Sequence, residues 1–296
     1  MKNKIAVVGG DKRQLFVADA LAKRGCDLCI YGDFENEGSG VTACESVEDA
    51  LTDSRAVILP MPLTRDSVYV NFGSGSEKKI KISEIFEMAN GKLVLAGNVP
   101  PIVKDFAQKE KIQLEDYYDS ENVRVDNAYL TAEGAIFGAM SMLDISIADA
   151  KVALTGFGRI GNALARLLVS LGADVTVAAR KERDLVLAKS LGCNTLRICV
   201  DMEKKSSLLP LAKSYDVIFN TVPAWIFDSR FFAALSKNTV MIELASAPGG
   251  FDASLAEKSG AHVVSLQGIP GKYAPVSAGK ILLESIEKIL EKEMIL

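Results

Sequence analysis

The stretch Lys151-Val-Ala-Leu-Thr-Gly156-Phe-Gly158-Arg-Ile-Gly161 decides the fold of this 296-residue chain. The apolar residues before the glycines indicate a β-strand, and those after them, as far as Leu171, have the spacing of a helix. In this setting Gly156 allows a tight turn, Gly158 lets the backbone approach a diphosphate, and Gly161 lets helix and strand pack closely. The diphosphate would lie at the helix N-terminus, where unpaired N–H groups favour negative charge. The stretch therefore predicts a dinucleotide-binding unit; the alternative is a glycine-rich turn without a ligand.

The residue that distinguishes NAD from NADP should lie at the end of the next predicted strand, which is followed by Arg180 and Lys181. An NAD site usually carries Asp or Glu at this point, whereas Arg accommodates the 2′-phosphate of NADP. No acidic residue precedes Arg180 on that strand closer than Asp174. We therefore predict NADP(H) as the cofactor; the alternative is that both cations end a strand in solvent.

The predicted cofactor site combines the glycine turn, the cationic strand end and the residues after the strand Val217–Asn220. Its members are Gly156, Phe157, Gly158, Arg159, Ile160, Gly161, Arg180, Lys181, Thr221, Val222 and Pro223.

Short β-branched runs alternate with helical patterns along the whole chain, which is typical of parallel α/β sheets. We expect two Rossmann-like, doubly wound parallel-sheet domains with an interdomain cleft. The first domain would comprise residues 1–128 and be completed by a helix at 276–296, and the second would comprise 129–275. A helix beginning at Thr131, with Thr131 as its N-cap, would connect them.

Composition excludes several classes of protein. Apolar residues make up 49% and charged residues 24%, which is typical of a folded globular chain. The net charge of −4 argues against a broad cationic surface for nucleic acid or anionic lipid. No run approaches the roughly 18 apolar residues of a membrane span. The five cysteines lack zinc-ligand spacing, so we expect no metal, reduced thiols and a cytoplasmic protein.

Several further motifs occur in a fixed order around the glycine turn. They are Val7-Val-Gly-Gly-Asp11, Thr131-Ala-Glu-Gly134, Asn220-Thr-Val-Pro223, Glu243-Leu-Ala-Ser-Ala-Pro-Gly-Gly250, Gly268-Ile-Pro-Gly271, Ala274-Pro275 and Ala278-Gly279. Together they resemble the family of the dipicolinate synthase A subunit over nearly the whole chain.

The resemblance implies the oxidation of dihydrodipicolinate to dipicolinate, pyridine-2,6-dicarboxylate, in sporulating bacteria. It also implies that the partner is a flavoprotein-like B subunit, and we expect a homo-oligomer as well. The wider architecture is similar to that of D-2-hydroxyacid and alanine dehydrogenases.

A substrate with two carboxylates needs cationic or hydroxyl donors from loops beyond the strand ends. We expect Arg13, Ser246 and Lys272 to supply them, although Arg13 could be solvated and Ser246 a small loop residue. Glu133, with Thr131, would serve the proton transfer at the start of the connecting helix. The alternative is that the helix dipole favours an acidic residue there.

His262 is the only histidine and lies in a predicted strand without an identified partner. A D-2-hydroxyacid dehydrogenase uses a histidine as general acid, held by a carboxylate. The position of His262 thus weighs against that class. Two alternatives stay open beside the dipicolinate reading: a dehydrogenase acting on a 2-oxo or 2-amino acid, and a regulatory subunit that senses the cofactor.

Overall fold

A computed structural model of the chain describes residues 3–34, 40–73, 75–199 and 208–296. The chain forms two compact units, one comprising residues 1–127 with 271–296 and the other 128–270.

Strands and helices alternate up to residue 116. They are β1 (Lys4–Val8), α1 (Lys12–Lys23), β2 (Asp27–Tyr31), β3 (Val41–Ala43), α2 (Val47–Leu51), β4 (Ala56–Ile58), α3 (Ile82–Met88), β5 (Leu93–Ala96), α4 (Pro101–Lys109) and β6 (Gln113–Asp116). The long helix α5 (Glu121–Met140) follows, and the boundary between the units falls within it.

The second run of elements repeats the alternation after a 3₁₀ turn at Ile147–Asp149. It comprises β7 (Lys151–Thr155), α6 (Arg159–Ser170), β8 (Asp174–Ala179), α7 (Glu182–Ser190), β9 (Asn194–Arg197), β10 (Val217–Asn220), α8 (Ser229–Ala234), β11 (Val240–Glu243), α9 (Ala253–Ser259), β12 (His262–Ser265), α10 (Ile269–Tyr273) and α11 (Pro275–Lys292).

Each unit contains one six-stranded sheet whose strand pairs are all parallel. The orders are β3-β2-β1-β4-β5-β6 and β9-β8-β7-β10-β11-β12, so both sheets have the same topology. This is the doubly wound order in which the connections reverse direction between the first and fourth strands. The predicted fold class, two Rossmann-like parallel-sheet domains, is confirmed.

Both faces of each sheet are covered, as a parallel sheet requires. Alternate residues of β1 supply opposite cores, Ala6 and Val8 on one face and Ile5 and Val7 on the other. The second sheet follows the same rule, because Leu154 and Ala153 of β7 belong to different clusters. The central strands β1 and β7 are therefore buried on both sides along almost their whole length.

Helix α11 packs against α1 in the first unit. Leu282, Ile286 and Leu290 are buried in the same core as Val17 and Leu21. At Gly279 a Cβ would lie 2.7 Å from the ring of Phe16, so the two helices approach closely at that point.

The prediction of a helix beginning at Thr131 is wrong. Helix α5 begins at Glu121, and the amide of Arg124 already donates to the carbonyl of Ser120 (3.1 Å). Thr131 lies well inside the helix and is 8% exposed, so it cannot be an N-cap. The charged residues near the start of α5 hid its first turns, because they break the apolar periodicity.

The sequence also did not predict several short elements. They are β3, α2, β9, α8, α9 and α10. Three of these helices begin at residues whose side chains accept a backbone N–H, namely Ser46, Asp228 and Asp252. Such caps are a usable signal for helices too short to show periodicity. None of the described helices is both long and apolar enough to span a membrane.

Candidate functional site

The glycine turn after β7 is open where a diphosphate would approach. Gly156 has φ +88°, a conformation that L side chains rarely adopt. Gly158 is the N-cap of α6, which therefore has no side-chain cap. A Cβ built on Gly158 would meet nothing within 4 Å. The first turn of α6 thus presents its N-terminus towards open space, which suits an anionic group.

The remaining residues of the turn hold it in place. A Cβ on Gly161 would lie 2.4 Å from the carbonyl oxygen of Gly156, so only glycine permits this packing of helix against strand. The side chains of Phe157, 8% exposed, and Ile160 pack into the core of the second unit. Phe157 could therefore contact a cofactor only through its backbone, whereas Arg159 is exposed.

The residues after β10 pack directly on the turn. The hydroxyl of Thr221 donates to the carbonyl of Thr155 (2.8 Å). A Cβ on Gly156 would lie 2.5 Å from Thr221 Oγ1 and 2.9 Å from Val222 Cγ2. Pro223 follows and is exposed. The structure thus brings the predicted residues Thr221 and Val222 into contact with the glycine turn.

The end of β8 is cationic and exposed. Arg180 and Lys181 follow the last strand residue, Ala179, which is buried. No ion pair to either cation occurs within the part of the chain that the structure describes. The nearby Arg197–Glu182 pair uses the local carboxylate (2.9 Å). The strand end therefore offers uncompensated positive charge and no carboxylate for a ribose.

A buried polar network, which the sequence did not predict, lies behind this surface. Glu243, the last residue of β11, is 6% exposed and accepts bonds from Asn220 Nδ2 (2.8 and 2.9 Å), Ala245 N (2.7 Å) and Gly250 N (2.9 Å). Burial raises the pKa of the Glu243 carboxyl above its ordinary value, and these hydrogen bonds oppose the rise. The available signal was a polar residue at the end of each of two apolar strands.

In the first unit, Arg13 already has partners. Its Nε and Nη2 donate to the two carboxylate oxygens of Asp11 (2.8 and 2.7 Å), and Nη2 also donates to the carbonyl of Met61 (2.6 Å). Arg13 is 5% exposed, so the alternative of a solvated side chain is wrong. Burial raises the pKa of Asp11, but the hydrogen bonds and charge of Arg13 outweigh burial and lower that pKa.

The other predicted substrate and catalytic residues lie at several places. Lys272 is exposed on α10, beside Gly271, where a Cβ would lie 2.9 Å from Arg13 Nε. Ser246 is exposed on the loop after β11. Glu133 is exposed but lies well inside α5, so the prediction that it begins the connecting helix is wrong. The convergence of these residues on one substrate stays a prediction.

His262 lies at the wrong end of its strand for catalysis at the glycine turn. It begins β12 and pairs with Val240, the first residue of β11. Ligands of such sheets bind beyond the carboxyl ends of the strands, which is where Gly156 and Ser246 lie. Among the described residues, no group of three or more His, Cys, Asp or Glu side chains could hold a metal ion.

The chain is similar to known proteins over almost its full length. Residues 4–118 match the family described as the N-terminal domain of the dipicolinate synthase A subunit. The A subunit of dipicolinate synthase from Bacillus subtilis (strain 168) is 29% identical over 290 residues, which cover 97% of this chain and 95% of the relative. The resemblance to the dipicolinate synthase A subunit is confirmed.

Solved structures agree with this finding. The crystal structure of the dipicolinate synthase A subunit from Bacillus halodurans has a TM-score of 0.83 at 29% identity and covers 97% of both chains. An L-alanine dehydrogenase has a TM-score of 0.63 at 14% identity, covering 97% of this chain and 89% of its own. The latter likeness concerns the fold alone, which is dehydrogenase-like.

Proposed function

We propose that this chain is the NADP-dependent oxidoreductase subunit that converts dihydrodipicolinate to dipicolinate in the cytoplasm of a sporulating bacterium. A flavoprotein-like B subunit would be its partner, and the chain would also form a homo-oligomer. The observation that carries the proposal is the open turn at Gly158 beside the uncompensated Arg180, in a chain similar throughout to the dipicolinate synthase A subunit.

The residues of the second unit fit a dinucleotide. The space at Gly158 and the uncapped N-terminus of α6 suit the diphosphate. Arg180 suits the 2′-phosphate, because a guanidinium makes two charge-assisted bonds to such a group. Bound there, NADP⁺ would supply a hydride acceptor.

The chemistry asks little acid–base help of the protein. Dihydrodipicolinate loses one hydride and one proton, and its ring gains aromaticity, so the step is downhill. Exposed Glu133 is our candidate for the proton acceptor, and Thr131, which is buried two residues before it on α5, is the second candidate. The two carboxylates of the substrate would be held by Ser246, Lys272 and Arg13. Because Arg13 Nε and Nη2 already bind Asp11, the donor it would offer is Nη1, whose recorded contact is the weak acceptor Met61 Sδ (3.9 Å).

The position of His262 supports this reaction over that of a D-2-hydroxyacid dehydrogenase. Such an enzyme needs a general acid beside the reacting carbon. The only histidine of the chain lies at the amino end of β12. Oxidation of a dihydropyridine does not require that group.

The deciding experiment is the turnover of dihydrodipicolinate by the purified chain, with and without the B subunit. We expect dipicolinate formation with equal formation of NADPH, both followed by absorbance. Turnover that needs the B subunit but proceeds without NADP⁺ reduction would instead support a cofactor-sensing regulatory subunit. Calorimetric titration with NADP⁺ and NAD⁺ checks the cofactor, and equal affinities would contradict the NADP preference.

A further inference from the structure

The buried carboxylate of Glu243 is surrounded by donors. Asn220 Nδ2, Ala245 N and Gly250 N all donate to it, so each carboxylate oxygen accepts two contacts. No side chain or carbonyl that could accept a proton from Glu243 is among these partners. The arrangement therefore fits the ionised group, and a neutral amide in its place would set one N–H against another.

The network extends to the glycine turn through Asn220. The hydroxyl of Thr155, which precedes Gly156, donates to Asn220 Oδ1 (2.6 Å). The amide of Val222 donates to the same oxygen (3.1 Å). Glu243 is thus connected through one side chain to the strand that carries the turn and to the loop that packs on it.

The network also joins the loops after β10 and β11 to each other. The amides of Ile226 and Phe227 donate to the carbonyl of Gly250 (2.7 and 3.1 Å), and Gly250 N donates to Glu243. Trp225 Nε1 donates to the carbonyl of Pro248 (3.4 Å). We call residues 221–227 and 244–250 the paired loops. Glu243 contacts one of these loops directly through Gly250 N, and the other through Asn220, which binds Val222 N.

The topology assigns each half of a dinucleotide to one side of the sheet. A dinucleotide crosses the sheet where the strand order reverses, here between β7 and β10. The 2′-phosphate would lie at Arg180, at the end of β8, on one side. The nicotinamide half then extends to the other side, over the paired loops.

We propose that Glu243 is a positioning residue of the cofactor site, which fixes the paired loops for the nicotinamide half without touching the cofactor. The inference rests on the proposed function, because it takes NADP as the ligand. If Glu243 only stabilised the fold, its loss would weaken the binding of both halves of the cofactor. If it positions the paired loops, its loss should weaken the binding of the nicotinamide half alone.

The test compares the whole cofactor with a fragment in the Glu243→Gln variant. Adenosine 2′,5′-bisphosphate reaches only the Arg180 side, and NADP⁺ reaches both sides. We expect the affinity for NADP⁺ to fall about tenfold or more, as for the loss of hydrogen bonds to a charged group. The affinity for the fragment should stay within about twofold of the parent value in the same calorimetric titration.

Glu257→Gln is the matched control, because Glu257 is exposed on α9 of the same unit. It should bind both ligands as the parent does. Parent affinities for both ligands in Glu243→Gln would overturn the proposal. Equal losses for both ligands would also overturn it, because they would indicate general damage.

A second variant, Gly250→Ala, disturbs the hydrogen-bond network of Glu243 without changing the charge of the protein. A Cβ at Gly250 would lie 2.4 Å from Asn220 Nδ2 and 3.2 Å from Glu243 Oε2, and the backbone of Gly250 does not have the positive φ that favours glycine. Gly250→Ala should therefore reproduce the selective loss of NADP⁺ affinity. Parent-like NADP⁺ binding by a folded Gly250→Ala protein would count against the proposal.

Trp225 provides a readout without any ligand, since it is the only tryptophan of the chain. Its emission in Glu243→Gln should move to longer wavelength and become more sensitive to acrylamide, while Glu257→Gln keeps the parent spectrum. An unchanged spectrum would show that the paired loops keep their position without Glu243, and would overturn the proposal.

The outcomes separate this inference from the proposed function. A parent protein that prefers NAD⁺ contradicts the NADP preference, and the same comparison with NAD⁺ and AMP then tests Glu243. A parent that binds neither dinucleotide overturns both. Failure of Glu243→Gln alone to show the selective loss overturns only the positioning role.

Discussion

The two units have the same strand order, but the helix that follows the first strand of each sheet is capped differently. In the first unit, Asp11 caps α1 through its carboxylate, and Arg13 binds that carboxylate. In the second unit the corresponding N-cap is Gly158, which has no side chain. A Cβ at Gly10 would lie 2.5 Å from Gln14 Oε1, whereas one at Gly158 would meet nothing within 4 Å.

The comparison shows that the same strand order allows two arrangements at the helix N-terminus. Either a carboxylate of the chain itself caps the helix, or the position is left open for an anion. A helix N-terminus favours negative charge, and the first unit satisfies it with Asp11. The second unit has no side-chain cap at that position, and the space beside Gly158 is open. The fold alone therefore does not identify a nucleotide site, and the N-cap residue distinguishes the two cases.

The largest expected effect comes from filling the open reversal point. Gly158→Val should abolish cofactor binding, weakening it at least about a hundredfold, or about 2.8 kcal/mol. The reason is that the branched side chain occupies the space that the diphosphate needs, although it meets no protein atom. Calorimetry measures the affinity and circular dichroism the fold.

Gly10→Ala is the comparison variant in the first unit, at the residue before the N-cap Asp11. It should lower the free energy of unfolding by about 1–3 kcal/mol, because φ is +102° there and Gln14 must move. Cofactor affinity should not change. A folded Gly158→Val protein that binds the cofactor normally would place the site elsewhere.

Arg180→Asp should cost about 1.5–3 kcal/mol of NADP⁺ affinity, since a hydrogen bond to a charged group is lost. The affinity for NAD⁺ should stay or improve, so that the preference narrows or reverses. Lys189→Asp is the control, with the same change of charge in the last turn of α7. An equal effect of both substitutions would mean that only general charge matters.

Asp11→Asn should lower the free energy of unfolding of the first unit by about 2 kcal/mol at neutral pH. The value lies below that for a fully buried ion pair, because the Asp11 side chain is 34% exposed. Denaturant titration measures it. The affinity for the cofactor should not change, and a large change would contradict the assignment of the cofactor to the second unit.

The smallest expected effect is the pH dependence of the difference in free energy of unfolding between the parent and Asp11→Asn. Arg13 lowers the pKa of Asp11 in the folded protein below its ordinary value of 3.8. The stabilisation is therefore present above about pH 4 and is lost as the pH falls through the lowered pKa. The difference between the parent and Asp11→Asn should shrink by at most about 1.4 kcal/mol per pH unit, the limit for one proton. A difference that grows on acidification would contradict the assignment.

The sequence sufficed where a strong local pattern coincides with the fold. The strands Lys151–Thr155 and Asp174–Ala179 and the glycine turn were predicted with their observed bounds, because apolar runs and glycines report directly on a parallel sheet and its turn. The start of α5 was missed because charged residues on its exposed positions break the periodicity.

The site was predicted less completely than the fold. Arg180 and Gly158 are recognisable because their chemistry is local. The contacts of Arg13 with Met61 and of Glu243 with Asn220 are not, since the fold alone brings these distant residues together. A carboxylate at the end of an apolar strand indicates that a hydrogen-bond donor lies nearby, but the sequence does not show which residue supplies it.

The packing of α11 on α1 has a consequence for synthesis on the ribosome. The core around Val17 and Leu21 includes Leu282 and Ile286, which are translated after every residue of the second unit. Folding during synthesis usually begins at the N-terminus. Here the second unit can complete its core first, while the apolar face of α1 waits for α11. We therefore expect the nascent first unit to expose this apolar face until α11 has been synthesised, and to need protection from aggregation during that interval.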